Sequence, residues 1–142
     1  MNSSLTLEYT VPGDDFTRAG EASGSVKKTL KQLGFPADVI RKVAIALYEG
    51  EINMVIHAGG GNIVVTIFPE KIDMLLTDHG PGIADIALAM RAGYSTAPDQ
   101  VRDLGFGAGM GLPNMEKYSD RFQIDSIVGS GTTVHMQVDN LK

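Results

Sequence analysis

The 142-residue sequence contains no cysteine. That excludes disulfides, thiolate metal sites and a cysteine nucleophile together, and it fits a reducing compartment such as the cytoplasm. Positive charge is also scarce: 12 Lys and Arg face 17 Asp and Glu, for a formal net charge of −5. Such a chain has no field to draw it to a phosphate backbone or an anionic membrane, so neither nucleic acid nor a membrane is an expected partner. No apolar run approaches the ~18 residues that a membrane span needs, and the polar stretch Met1 to Thr10 lacks the basic-then-apolar layout of a signal peptide. Internal repeats and low-complexity tracts are missing as well. What remains is an ordinary globular composition, 43% hydrophobic and 20% charged, at a length that suits one domain over 1–142.

Alternation of Leu5, Leu7, Tyr9 and Val11 with polar residues predicts a short strand at or near a sheet edge, ended by Pro12-Gly13. Asp14 or Asp15 could cap a first helix carrying Phe16, Ala19, Val26, Leu30 and Leu33, which Gly34 stops. Gly20 and Gly24 weaken that helix in isolation. A second helix begins near Pro36 and carries Val39, Ile40, Val43, Ala46, Leu47, Ile52, Val55 and Ile56 before Gly59-Gly60-Gly61. Such a broadly apolar helix belongs at the centre. Asn62 to Phe68 and Lys71 to Thr77 read as a hairpin around Pro69-Glu70. Seven glycines then fall between Asp78 and Gly111, with one short helical stretch from Ile83 to Arg91. Loops longer than ~12–15 residues are usually functional, so the segment at about 93–111 reads as a lid. Leu112 to Tyr118 predicts a short helix, and Arg121 to Val128 and Thr132 to Val138 a closing hairpin around Gly129-Ser130-Gly131.

Three groups of residues carry chemistry. On the second helix Glu49, Asn53 and His57 fall at i, i+4 and i+8, so their side chains rise from one face about 6 Å apart along the axis. Magnesium takes oxygen ligands and only one or two of them from protein beside phosphates and water, which Asn53 could supply. A carboxylate one turn away, Glu49, could orient or deprotonate the hydroxyl that attacks a γ-phosphate. Taken singly, Glu-x-x-x-Asn is also what a solvated helix face presents. After the apolar strand, Asp78-His79-Gly80-Pro81-Gly82 brings an acceptor-only carboxylate to a tight turn, suited to the exocyclic amino group of adenine. Gly105 to Leu112 runs into a helix, leaving free N–H groups for phosphates. His57 reads as a packing or helix-end residue. The three histidines of the chain show no metal-ligand spacing, so no zinc site is assigned. The methionines read as adaptable filler.

The order of these boxes, closing with Gly129-x-Gly131-Thr132-Thr133, resembles the Bergerat-fold ATPases, the superfamily of gyrase, mismatch-repair ATPases, heat-shock chaperones and sensor histidine kinases. Within it the chain is most similar to the stand-alone anti-sigma-factor and switch-protein serine kinases, over nearly its whole length from Leu5 to Val138. The resemblance implies Glu49 as general base, Asn53 as magnesium ligand, and Asp78 with Gly80 and Gly82 around adenine. It implies Gly107, Gly109, Met110, Gly111 and Leu112 at the phosphates, and Thr132 or Thr133 as the hydroxyl supporting the adenine site. Arg18 looks like an arginine that contacts the partner protein, and a homodimer is implied. Gly50 inside the catalytic helix costs roughly 1 kcal/mol against alanine, which suggests close packing or local looseness.

The expected fold is therefore an α/β two-layer sandwich, a mixed, largely antiparallel sheet of about five strands with helices on one face. The expected function is a regulatory serine/threonine kinase that binds ATP and magnesium and phosphorylates a partner protein, an anti-anti-sigma or sigma-like regulator. A nucleotide-dependent interaction switch without transfer is the alternative. A histidine kinase fragment is less well supported, since its phosphoacceptor hairpin would be longer than the stretch preceding Val39.

Overall fold

A computed structural model describes residues 4–13, 19–83, 86, 90 and 111–140. Five strands form one sheet in the order β1-β2-β3-β5-β4: Leu5–Pro12, Gly60–Ile67, Lys71–Thr77, Gly131–Asp139 and Arg121–Ile127. All four neighbouring pairs run antiparallel, so the mixed sheet expected from sequence is antiparallel throughout among the described residues. Period-two alternation then decides which side chains meet the core. Ile63, Val65, Ile72, Met74, Met136 and Val138 are completely buried on one face. Glu8, Val64, Leu75, His135 and Gln123 form a row across the other face, which is partly or fully exposed. On that open face Asp73 accepts hydrogen bonds from His135 (2.6 Å) and Gln137 (2.7 Å).

Among the described residues three helices cover the buried face: α1 (Glu21–Gln32), α2 (Ala37–Asn53) and α3 (Gly111–Lys117). Val26 and Leu30 of α1, Val43, Ala46 and Leu47 of α2 and Met115 of α3 are fully buried at spacings that put them on one side of each helix. Helix α2 is central, as its broad apolar face predicts, lying against both α1 and α3. Of the expected Ile83 to Arg91 helix, Ile86 and Met90 are described, and Met90 N–H donates to the Ile86 carbonyl at 2.9 Å, one α-helical turn. The lid at 93–110 lies outside the described residues.

Helix α1 starts later than its sequence pattern predicts. Residues 14–18, with the two candidate capping aspartates, lie outside the described residues, and the helix begins after Gly20, whose φ of 103° is left-handed. Among the described residues no local side chain caps this end. Its backbone donors are satisfied from the neighbouring helix instead. The Glu51 carboxylate of α2 accepts from Gly20 N–H (2.9 Å), Ala22 N–H (3.1 Å) and Ser23 N–H (3.1 Å), while the residue is only 2% exposed. Negative charge is favoured there because unsatisfied N–H groups and the aligned peptide dipoles make a helix start positive.

Removing that carboxylate strands two buried donors and one part-buried one at ~1–3 kcal/mol each, partly relieved by water. Glu51→Ala should therefore lower the unfolding free energy by about 3 kcal/mol or more in urea titrations. A loss under about 1 kcal/mol would mean that α1 is capped in solution by other groups.

Candidate functional site

Glu49 and Asn53 lie inside the regular part of α2, one turn apart, so the stacked pair expected from sequence is present. The stack ends there. Met54–Ala58 forms a π-helical turn in which Gly59 N–H donates to the Met54 carbonyl five residues back. His57 falls within this turn, and its side chain lies outside the described residues. Such single π turns recur at functional sites.

Gly50 has a packing reason. A Cβ on it would come within 2.3 Å of Leu76 Cδ2 and 3.4 Å of Met115 Sδ, so any larger residue would have to displace the buried Leu76 side chain for α2 to sit this close to β3 and α3. Close packing, not looseness, is the outcome. One residue earlier, Glu49 is half-buried, with the Asn114 side chain of α3 near its carboxyl. Burial raises the Glu49 pKa above the ordinary 4.5, and the nearby Asn114 amide opposes the rise.

Asp78 follows β3 and is 8% exposed. Its Oδ1 accepts from Gly80 N–H at 3.0 Å and Thr132 N–H at 3.1 Å, and its own N–H donates to the Thr132 carbonyl at 2.9 Å. Among the described residues both of these carboxylate bonds fall on Oδ1. The loop after Asp78 is held on two sides. Gly80 lies against the π turn, where a Cβ would come within 2.6 Å of Ala58 Cα. Gly82 adopts a φ of +80° facing the β4–β5 turn, and a Cβ there would meet Ile127 O at 2.5 Å. Ser126 Oγ accepts from Ile83 N–H (2.7 Å) and lies 2.8 Å from Thr132 Oγ1. The Asp78 loop, the end of α2 and the start of β5 thus meet at one end of the sheet.

Of the two threonines left open by the sequence, Thr132 is the one brought to Asp78. It is 7% exposed, whereas Thr133 pairs with Thr77 on the strand face that carries His135. Gly111 and buried Leu112 open α3 directly after the glycine run, as expected. Gly107, Gly109, Met110 and Arg18 lie outside the described residues. Sequence reasoning missed Glu51, Asn114 and Ser126. An α1 start without a certain local cap was the signal for the first; the other two are polar residues whose partners are remote in sequence.

Residues 14–138 match the model of the histidine kinase-like ATPase domain family. The chain is 30% identical over 112 residues to the serine/threonine-protein kinase RsbT of Bacillus subtilis, covering 76% of this chain and 78% of that one. It is 28% identical over 144 residues to the anti-sigma F factor of Bacillus licheniformis, covering 96% and 92%. In fold it is similar to a Mycobacterium tuberculosis structure of RsbU and RsbW domains, with TM-score 0.59, 16% identity, and coverage of 94% of this chain and 32% of that one. Among the described residues no helix is long and apolar enough to cross a membrane.

A raised carboxyl pKa means that the folded protein holds the Glu49 proton more tightly than the unfolded chain does. Stability from this group is therefore present at low pH and lost as pH rises from 4.5 through the folded value. Glu49→Gln should raise the thermal midpoint at neutral pH, and the gain should vanish once the medium is more acidic than the ordinary glutamate value. An equal effect at both pH values would contradict the burial of this carboxyl.

Proposed function

The chain belongs to the histidine kinase-like ATPase domain family, and on that premise we propose that it is an ATP-dependent serine/threonine kinase of the anti-sigma-factor type. It transfers the γ-phosphate of ATP to a hydroxyl of a partner protein. The observation that carries the reading is Asp78: a buried carboxylate held rigidly through one oxygen by two backbone donors, at the foot of the helix that bears Glu49 and Asn53. A carboxylate that only closed its own turn would have no need of a partner on β5.

Asp78 presents an acceptor to the exocyclic amino group of adenine, where guanine offers a carbonyl that a carboxylate repels. Thr132, fixed by Ser126, supplies a hydroxyl beside it. Asn53 provides a hard amide oxygen, the donor type that magnesium takes from protein in small number. Magnesium held there would neutralise charge on the phosphates as the γ-phosphoryl group leaves. Glu49 takes the proton of the attacking hydroxyl, and its elevated pKa brings it closer to the value suited to a general base at neutral pH. The glycines that lead into α3 would offer backbone donors to the phosphates, and Arg18, outside the described residues, would contact the partner. The relatives named as anti-sigma factors support a regulatory protein as that partner, in the cytoplasm.

Calorimetric titration with ATP and magnesium tests the site, followed by transfer assays on candidate partners. Asn53→Ala should abolish the magnesium-dependent part of binding. Asp78→Asn keeps the Oδ1 acceptor for Gly80 and Thr132 but turns a donor toward the base, so ATP affinity should fall roughly tenfold or more with little change in fold. Unchanged affinity would remove the adenine assignment. ATP binding without transfer to any partner would select a nucleotide-dependent switch over a kinase.

A further inference from the structure

The β4–β5 turn is tied to the Asp78 loop at three successive residues. Pro81 O accepts from Gly129 N–H at 2.8 Å, and Ile83 N–H donates to Ser126 Oγ at 2.7 Å. Between them Gly82 lies so close to Ile127 that a Cβ would meet its carbonyl oxygen at 2.5 Å. Ser126 and Thr132 are direct partners in the β4–β5 ladder, so their side chains share a face, and their hydroxyl oxygens meet at 2.8 Å. Ser126 is thus held by the loop on one side and reaches Thr132 on the other.

One proton decides the polarity of this pair. A serine hydroxyl has a single donor and two lone pairs. One lone pair of Ser126 receives Ile83 N–H. Its proton has two acceptors within reach, Thr132 Oγ1 at 2.8 Å and the Gly131 carbonyl at 3.3 Å. Only the first lies within the usual O–H···O range of about 2.5–3.0 Å. Donation to Thr132 leaves the Thr132 proton unspent among the described residues, on a buried side chain where an unpaired donor is costly. Beside it Asp78 spends Oδ1 on Gly80 N–H and Thr132 N–H, and Oδ2 has no partner among the described residues. The site therefore sets an unspent donor next to an unspent acceptor.

Adenine carries the complement: an amino group that donates and, next to it, a ring nitrogen, N1, that accepts. Guanine reverses both, with a carbonyl oxygen and a protonated N1. We infer that Ser126 is a positioning residue for base recognition, donating to Thr132 so that the Thr132 hydroxyl turns its own proton to N1 while Asp78 takes the amino group. The inference rests on the ATP reading above, and it adds to the site a residue that touches no part of the nucleotide. A Thr132 hydroxyl released from Ser126 rotates about χ1 and spends its proton on other acceptors, of which the carboxylate already bonded to the Thr132 N–H is the strongest.

The test is calorimetric titration of the full chain with the magnesium complexes of ATP and of 1-deaza-ATP, in which a C–H group replaces N1. The wild type should bind 1-deaza-ATP roughly fivefold to tenfold more weakly than ATP, the scale of one hydrogen bond. Ser126→Ala should weaken ATP binding by roughly the same factor and leave 1-deaza-ATP within about twofold, because the analogue lacks the acceptor that Ser126 serves. Ser126→Thr, which keeps a hydroxyl, should restore the preference for ATP. A purely structural role would weaken both nucleotides by the same factor in Ser126→Ala, and that result overturns the inference. So does a wild type that binds the two nucleotides alike. If Ser126→Ala fails to fold, Ser126→Cys, similar in size and a poorer donor, decides by the same comparison. A wild type that binds neither nucleotide overturns the ATP reading and the inference with it, whereas ATP binding without a preference over the analogue sinks the inference alone.

Discussion

The helical layer depends on one buried carboxylate. Glu51 lies in the last turn of α2 yet serves as the cap of α1, joining three backbone donors at the start of one helix to the side chain of the other. A helix start buried without partners is costly, and Gly20, with no side chain of its own, cannot satisfy it. The consequence is a fixed register between the two long helices. Once α1 is set against α2, Val26 and Leu30 meet Val43 and Leu47 in one core, and the other side of α2 is left for α3 and the sheet.

That division of labour explains why three polar residues within five positions have such different surroundings. Glu49 and Glu51 are two residues apart and so point about 200° apart around the helix axis, one toward α3 and one toward α1. Glu51 is saturated by backbone donors. Glu49 is half-buried near the Asn114 side chain and keeps a pKa raised by burial. Gly50 between them gives up helix propensity so that Leu76 and Met115 can approach. The acid used for structure and the acid proposed for chemistry are thus told apart by their partners alone. Asn53 closes the sequence at the point where the α-helical register itself ends.

Most of the fold was legible because it is written in periodicity. All five strands were read to within about two residues, since a half-buried sheet forces alternation such as Ile63, Val65, Ile67 on one face and Asn62, Val64, Thr66 on the other. Helix α2 was legible for its apolar breadth, and its glycine terminator was placed correctly. The π turn was not, because Met54 to Ala58 continues the apolar pattern and nothing local marks an added residue. The pattern of α1 was read from Phe16 onward, whereas the described helix begins at Glu21 and its backbone donors find an acceptor 28–31 residues away, which no local signal marks. Glu51 resembled one more charge on a helix face. Long-range polar contacts of this kind leave no period behind.

The candidate site divides along the same line. Glu49, Asn53 and Asp78 were found through spacing and turn chemistry, because each sits in a local pattern that its function would require. Asn114 and Ser126 were not, because each acts on another side chain or loop and could stand at several positions that reach it. Thr132 and Thr133 illustrate the boundary: composition marks both, and only strand register separates them, placing one beside Asp78 and the other on the opposite face of the sheet. A ligand-touching residue is constrained by the ligand, whose shape can be anticipated from chemistry. A residue that holds a ligand-touching residue is constrained by the fold, and becomes visible only when the fold is built.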